Sequence, residues 1–267
     1  MVNIEIGLEK FTINVCTLAR KTGNFLREER KQFSMNAVEV KGTNNFVSYV
    51  DKQAEKQIVD GLKNLLPEAG FIAEEGTAQS NDERYRWVID PLDGTTNFIH
   101  GLYPFAVSIA LMDGEQAIIG VIYEVGLDEC FYAWSGSKAY CNGSEITVSE
   151  APAVKDSLIA TGFPYTDFGK FEKYINSLQY LLKNSHGARR LGSAATDLAY
   201  VACGRCDSFY EYSLSPWDVA AGALIVQQAG GKVSDFAGGS SYIFGKEIVA
   251  TNAKTYDEFM KIVKTYF

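Results

Sequence analysis

The sequence predicts an α+β protein in which a mixed sheet, built largely from antiparallel neighbours, is layered with helices. A chain of 267 residues with 46% hydrophobic content can bury a full core. Both helical spacing of apolar residues and short β-branched runs occur along the chain. These segments come in blocks rather than in strict alternation of strand and helix, and such blocks are typical of a mixed sheet covered by helices.

The chain shows no run rich in Pro, Ser and Gly that would separate two folding units. We therefore expect one domain over residues 1–267, although the length alone also allows two. The N-terminal half, to about residue 145, is expected to carry the larger sheet, and residues 146–267 the rest.

Two helices are predicted in the first quarter of the chain. Apolar residues recur every three to four positions between Ile4 and Phe33, which indicates an amphipathic helix. The polar stretch SMNAVEVKGTNNFVSYV then predicts a loop or hairpin with Lys41 near its tip. A second helix is expected from Asp51 to Leu66, because its apolar positions share one face and Pro67 follows.

Short strands are predicted next, at FIAEE and RWVID, followed by two longer β-branched runs, FAVSIALMDG and EQAIIGVIYEV. The second half mixes both element types. Helices are predicted at FEKYINSLQYLLKN, SAATDLAYVACG and PWDVAAGALIVQQAG, and strands at SLIATGF, DSFYEYS, KVSD and EIVATN.

Composition excludes several classes of function. A net charge of −8 argues against a nucleic-acid partner, since such surfaces cluster Lys and Arg. No run approaches the roughly 18 apolar residues of a membrane span, and the start MVNIEIGLEK lacks the basic region of a secretory signal, so a cytoplasmic protein is expected. The pair Cys203 and Cys206 has no second pair or histidines nearby, which favours a structural helix end over a zinc or redox site.

The stretch WVIDPLDGTTNF carries the strongest chemical signal. Pro91 is expected to end a strand, so that Asp90 and Asp93 flank a tight turn closed by Gly94 and converge on one point. Mg²⁺ prefers such oxygen ligands, and the Leu92 carbonyl is a further candidate. The alternative is an ordinary surface turn, because Asp, Pro and Gly are common turn residues.

Residues Gly94, Thr95 and Thr96 follow directly and are expected to begin a helix. Free backbone N–H groups at a helix start bind phosphate. Metal ligands beside an anion cradle within a few residues favour a functional site over chance turn chemistry.

Further acids stand in comparable settings. Glu74 and Glu75 follow the apolar FIA, and Asp218 lies in SPWDVAAGALIV, where Pro216 opens an apolar helix. A buried carboxylate requires a partner, so Asp218 is a candidate ligand. Its alternative is an acid in the first helical turn that the helix dipole favours.

Three motifs in order, Glu74 within IAEEG, then WVIDPLDGTTNF and WDVAAG, resemble the inositol monophosphatase family of Mg²⁺-dependent, lithium-sensitive phosphatases. The resemblance spans essentially the whole chain. It implies the sugar-phosphatase fold, a layered α/β/α/β/α sandwich with mixed, largely antiparallel sheets. It also implies two or three Mg²⁺ ions and a homodimer.

The resemblance further assigns roles to individual residues. It implies five metal ligands: Glu74, Asp90, Asp93, Asp218 and the carbonyl of Leu92. It also implies that Asp51 and Thr95 form a hydrogen bond that helps Glu74 to activate the attacking water. From the residues alone, Asp51 would be interpreted as a simple helix N-cap.

Substrate contacts follow from the same resemblance. Asp93 and the helix start Gly192-Ser193-Ala194 match the part of the family that binds substrate hydroxyls, and Glu211 matches the sugar-hydroxyl acceptor. Glu211 has an alternative as a strand-surface acid. The roles of Arg189, Arg190 and Lys41 stay open, as does the presence of a third metal ion. Arg189 and Arg190 could meet a second anionic group or stabilise the fold.

The expected reaction is hydrolysis of a small phosphate monoester, foremost inositol-1-phosphate, by in-line attack of an activated water without a phosphoenzyme. Within the same chemistry, fructose-1,6-bisphosphate, NADP⁺ or a 3′-phosphoadenosine nucleotide are alternative substrates. A different class is a non-catalytic relative that uses the scaffold for binding. The motif acids and Thr95 are all present, which favours catalysis.

Overall fold

The computed structural model describes residues 7–33, 38–42, 45–78 and 83–267, and of residues 38–42 and 45–47 only the backbone. The α-helices in these ranges are α1 Leu8–Gln32, α2 Tyr49–Leu65, α3 Thr95–His100, α4 Phe171–Asn184, α5 Ala194–Ala202, α6 Pro216–Gln228 and α7 Tyr256–Tyr266. The strands are β1 Val38–Gly42, β2 Asn45–Ser48, β3 Gly70–Ala73, β4 Tyr85–Asp93, β5 Ala106–Asp113, β6 Gln116–Glu124, β7 Glu129–Trp134, β8 Ala139–Cys141, β9 Ser144–Ile146, β10 Ile159–Thr161, β11 Ala188–Arg189, β12 Ser208–Tyr212, β13 Lys232–Ser234 and β14 Glu247–Thr251.

The larger sheet has seven strands in the order β3-β4-β5-β6-β7-β8-β9. Its β3–β4 pair is parallel, and every later pair is antiparallel. Helices α1 and α2 cover one face, because their apolar stripes, including Val15, Leu26 and Ile58, pack against Trp87 and Ile109 in one buried cluster. The periodic spacing in the sequence therefore identified the correct faces.

The smaller sheet has five strands in the order β11-β10-β12-β14-β13, with parallel and antiparallel pairs. Helices α5 and α6 lie between the two sheets and share a buried cluster with both. Helix α6 is buried from Val219 to Val226, as expected of a helix that is apolar on all sides. Helices α4 and α7 cover the outer face. The predicted α+β class and the layered α/β/α/β/α order are thereby confirmed.

Several predicted boundaries were wrong. Strand β4 does not end before Pro91 but continues to Asp93, and α2 begins at Tyr49 rather than at Asp51. The strands β7, β8, β9 and β11 and the helix α7 were not predicted at all. The β1–β2 hairpin is confirmed, with Lys41 in β1 close to the turn, and Cys203 caps the end of α5. Residues 1–6, which include the predicted helix start at Ile4, lie outside the described residues.

Across the described ranges, each helix is either too short or too polar to cross a membrane.

Candidate active site

A cavity of about 240 Å³ opens where four strand ends meet the first turns of three helices. Residues of β4, β12, α3, α5 and α6 line it, together with Glu74 directly after β3 and Gly162 directly after β10. The N-terminus of each of these helices contributes a partial positive charge at the cavity. The predicted site residues in the wall are Glu74, Asp90, Leu92, Asp93, Gly94, Thr95, Thr96, Gly192, Ser193, Ala194, Glu211 and Asp218.

A β-bulge brings Asp90 and Asp93 together. Asp90 lies opposite Ser108 in β5 and Asp93 opposite Ala106, so β4 has one more residue than its partner over this interval. In a regular strand, residues three apart point to opposite faces, and the extra residue restores a common side. Pro91 is tolerated there because a residue in a bulge does not have to donate a backbone hydrogen bond to the neighbouring strand. The aspartates therefore converge through a bulge within β4, and not through the predicted turn after the strand.

Asp90, Asp93 and Asp218 form an acidic cluster whose ligand oxygens all lie within 4.8 Å of one another. Burial raises the pKa of Asp90 well above its ordinary value, and the charges of Glu74, Asp93 and Asp218 raise it further. Burial also raises the pKa of Asp218, and it raises that of Asp93 to about 6. The three carboxylates therefore repel one another when ionised, and a cation among them would relieve that repulsion.

The members of the cluster are fixed by backbone groups. Asp93 Oδ2 accepts hydrogen bonds from Ser193 Oγ at 2.6 Å and from Ala195 N at 2.7 Å, which tie the end of β4 to the start of α5. Asp218 stands at the third position of α6, and its Oδ2 accepts from Ser215 N at 2.6 Å in a capping box. Asp218 is therefore both an acid in the first turn of α6, as its alternative interpretation had it, and a member of the cluster.

Glu74 lies in the wall of the same cavity, close enough for its charge to raise the pKa of Asp90. Its backbone N donates to Ile89 O at 3.2 Å, so the residue is attached to β4. The following turn is held by Glu55, a fully buried residue of α2. Glu55 accepts hydrogen bonds from Glu75 N, Thr77 N and Thr77 Oγ1, each 2.7 Å long.

Asp51 does not line the cavity but lies behind Thr95. Its Oδ2 accepts from Ser48 N and completes the capping box of α2, in which Ser48 is the N-cap. Its Oδ1 accepts from Thr95 Oγ1 at 3.2 Å, and the same hydroxyl lies 3.0 Å from Leu92 O. Burial raises the pKa of Asp51, while its hydrogen bonds oppose that rise.

Gly94 is the N-cap of α3 and has a φ of +91°, a conformation that favours glycine. An added Cβ would lie 3.1 Å from the carbonyl oxygens of Pro104 and Gly192. The chain can therefore enter α3 with its first amides beside the acidic cluster.

The cavity is also lined by Gly192, Ser193, Ala194 and Glu211. Glu211 projects from β12 over Gly162, where an added Cβ would lie 2.1 Å from a carboxylate oxygen of Glu211. Burial raises the pKa of Glu211 to about 8, against the opposing charge of Arg190. Glu211 is thus a buried wall residue rather than a strand-surface acid.

The donor set fits a hard divalent cation. Three carboxylates approach one another closely in a buried wall, and no cysteine or histidine is among the described residues that line the cavity. Oxygen ligands of this kind suit Mg²⁺, whereas zinc sites in proteins normally include nitrogen or sulfur ligands.

Comparison with known proteins identifies the family of the chain. Residues 8–266 match the model of the inositol monophosphatase family. The protein belongs to the inositol monophosphatase family. Membership makes it a phosphatase that acts on phosphate monoesters, as the sequence predicted. Members of this family are generally metal-dependent, and the acidic cluster could hold a metal ion.

Individual relatives are similar over most of their length. An inositol-1-monophosphatase of Mesorhizobium japonicum is 40% identical over 247 residues, which are 92% of this chain and 93% of the relative. The Nus factor SuhB of Escherichia coli K12 is 44% identical, over 88% of this chain and 89% of the relative. The crystal structure of the extragenic suppressor protein suhB from Bartonella henselae has a TM-score of 0.89 at 39% identity, covering 96% of this chain and 99% of that one.

Sequence reasoning missed Glu55 and Asp197 and left the role of Arg190 open. Glu55 gave no signal, because a buried acid in mid-helix looks like any surface acid of an amphipathic helix. Asp197 was hidden among the apolar residues of α5, although an acid in such a segment is itself a signal. Arg190 lines the cavity and donates to Tyr165 OH at 2.7 Å, whereas Arg189 does not line it. The Lys41 side chain lies outside the described residues.

Proposed function

We propose that the protein hydrolyses inositol-1-phosphate to inositol and phosphate, with Mg²⁺ held by the acidic cluster. The observation that carries this proposal is the cluster of Asp90, Asp93 and Asp218 in a cavity that Glu211 also lines. The cluster suits a cation and a phosphate, and Glu211 suits a hydroxyl group. Family membership supports the reaction class.

Two or three Mg²⁺ ions are proposed, with Glu74, Asp90, Asp93, Asp218 and the Leu92 carbonyl as ligands. When bound, Mg²⁺ supplies Lewis-acid chemistry, which lowers the pKa of water and neutralises phosphate oxygens. The remaining work falls to the side chains and amides of the chain itself.

Water activation is assigned to Glu74, Thr95 and Asp51. The 3.2 Å contact between Thr95 Oγ1 and Asp51 Oδ1 supports this assignment, because a hydroxyl that donates to Asp51 presents its lone pairs to water. Thr95 would then orient the water for in-line attack, and Asp51 would accept the proton that the water passes on through Thr95. Glu74 faces the same cavity as a second acceptor.

Phosphate binding is assigned to the first amides of α3, at Gly94, Thr95 and Thr96. Backbone N–H groups at a helix start are fixed in direction, so they stabilise charge without reorganisation as the phosphoryl group transfers. The inositol ring is assigned to the part of the cavity lined by Asp93, Gly192, Ser193, Ala194 and Glu211.

Further properties belong to the same proposal. We expect one domain over residues 1–267, inhibition by lithium, a cytoplasmic location, a homodimer and no nucleic-acid or membrane partner. The core cluster that both sheets share supports a single folding unit.

The test is a substrate panel with Mg²⁺, in which released phosphate is measured for inositol-1-phosphate, fructose-1,6-bisphosphate, NADP⁺ and 3′-phosphoadenosine nucleotide. The proposal expects the highest kcat/KM for inositol-1-phosphate and no turnover after chelation. A higher value for another ester would reassign the substrate within the same chemistry. Turnover of none of them would remove the catalytic proposal.

A second role, as a Nus factor, has one observation in its favour: the 44% identity to the Escherichia coli protein of that name. The test is whether this chain replaces that protein in cells that lack it. The Asp93→Asn variant separates the two roles, since replacement by a catalytically inactive variant would show that the second role needs no turnover.

A further inference from the structure

Asp197 is a buried acid of the cavity that the proposed mechanism does not use. It lies on α5, has 1% of its surface exposed, and lines the cavity. Within the described part of the chain, its Oδ1 has no hydrogen-bond partner. Leaving a buried carboxylate oxygen unsatisfied is costly, so such a group in a ligand cavity calls for an explanation.

A helix-capping role does not provide that explanation. The amides at the start of α5 already have partners: Ala195 N donates to Asp93, Thr196 N to Ser193 Oγ, and Asp197 N to Ser193 O. Asp197 is also the fourth residue of the helix, where the favourable effect of the N-terminal dipole has declined.

The surroundings of Asp197 point to a neutral, hydroxyl-bearing ligand. Asp197 and Glu211 line the same cavity, and the charge of Glu211 raises the pKa of Asp197. Arg190 lines the cavity as well and is held by Tyr165 OH and by contacts with the rings of Phe163 and Tyr165. Two acceptors beside one another match two neighbouring hydroxyl groups, each of which has a hydrogen to donate.

We propose that Asp197 is a second hydroxyl-binding residue, which acts with Glu211 to hold two neighbouring hydroxyls of the leaving group. This inference rests on the proposed phosphatase function and extends it, because it assigns specificity for a polyhydroxylated leaving group to a particular pair of acids. The orphaned oxygen gains its missing hydrogen bond when the substrate is bound.

The experiment compares KM for inositol-1-phosphate with KM for 4-nitrophenyl phosphate, which has no hydroxyl groups on its ring. For Asp197→Ala, the ratio of the two KM values is expected to rise about tenfold or more. Asp197→Asn keeps one acceptor oxygen of the same shape, so part of the loss should be recovered. Asp257→Asn, an exposed acid in the first turn of α7, is the matched control.

A purely structural role predicts a different result, in which both KM values change together and the ratio stays at the wild-type value. That outcome would overturn the inference. If Asp197→Ala does not fold, the Asn variant and competitive inhibition by myo-inositol give the same comparison, with weaker inhibition expected in the variant. If the wild type hydrolyses 4-nitrophenyl phosphate and the Asp197 variants keep the wild-type KM ratio, only the role of Asp197 is rejected. If the wild type hydrolyses neither ester, the proposed function and this inference are rejected together.

Discussion

At the scale of single residues, the acids of the site combine a structural and a chemical task. Asp51 uses Oδ2 to complete the capping box of α2 and Oδ1 to accept from Thr95. Asp93 uses Oδ2 to hold the start of α5 while it belongs to the acidic cluster. Such a residue can stabilise a helix start and take part in the chemistry at the same time, because a carboxylate has two oxygens.

The first prediction concerns Asp93→Asn. We expect turnover to fall at least about a thousandfold, because a neutral amide binds a divalent cation more weakly than a carboxylate and its N–H₂ group repels it. The metal-free variant should remain folded and equally or more stable at neutral pH, because one charge of a mutually repelling cluster is removed. Phosphate release and thermal unfolding are the measurements. Retained activity would remove Asp93 from the set of ligands.

The second prediction concerns the pH dependence of stability and Glu211. The pKa of Glu211 is raised by burial from the ordinary 4.5 to about 8 in the folded protein. Between these values the folded state binds a proton that the unfolded state has lost, so this contribution to stability is complete below about pH 4.5 and disappears as the pH rises through about 8.

Denaturant unfolding of the metal-free protein at pH 6 and pH 8 would reveal this contribution, whose slope for one group is at most about 1.4 kcal/mol per pH unit. In Glu211→Gln the decline between the two pH values should be smaller by about 2 kcal/mol, because the two values are two pH units apart and the slope levels off near pH 8. An identical decline in the wild type and in the variant would show that Glu211 ionises normally.

At the scale of elements, α2 supports the site from outside the cavity. Its Glu55 accepts three hydrogen bonds from the turn that follows Glu74. Because Glu55 is fully buried, those donors would have no water to replace it. The turn that follows Glu74 is therefore positioned by a helix that does not itself line the cavity.

The third prediction follows from that contact. Glu55→Gln keeps the size of the side chain but replaces one acceptor oxygen with a donor that opposes a backbone N–H. We expect a loss of about 1 to 3 kcal/mol in the free energy of unfolding, and a decrease in kcat that exceeds the change in KM. Asp60→Asn, an exposed acid on the same helix, is the control and should change neither. A variant that loses stability but keeps kcat would limit Glu55 to a structural role.

The elements show how far the sequence alone could lead. Helices with strong periodicity or an unbroken apolar run, such as α1 and α6, were predicted because burial of their faces leaves a direct pattern in the residues. The short strands β8 and β9 have three residues each and lie at a sheet edge, so they carry too few positions for a pattern. The bulge at Pro91 was missed because a proline normally ends a strand, and the pairing with β5 that tolerates it is a tertiary fact.

At the scale of the whole molecule, the site lies where the layers meet. Asp90 and Asp93 come from the larger sheet, Glu211 from the smaller one, and Asp218 from a helix packed between them. The three motifs could be assigned to one site from the resemblance, whereas Asp197 and Glu55 became visible only through burial and contact. Assembly of the cavity therefore requires the complete fold, and the repulsion within its acidic cluster acts against that fold.

The last prediction is that divalent cations stabilise the whole molecule. Burial raises the pKa values of Asp90, Asp93 and Asp218, and neighbouring carboxylates raise those of Asp90 and Asp218 further, so in the metal-free state ionisation of this cluster opposes folding at neutral pH. A cation that binds only the folded cluster, at a free concentration of about ten times its dissociation constant, adds about 1.4 kcal/mol to the free energy of unfolding. This corresponds to a rise of about 3 to 6 °C in Tm for a chain of this size. Thermal unfolding with Mg²⁺ at millimolar concentration and with chelator measures the shift. Asp93→Asn should lose most of it, and Asp60→Asn should keep it. A wild-type Tm that does not respond to Mg²⁺ would contradict the assignment of the cluster as a cation site, because a cation that binds only the folded state must stabilise it.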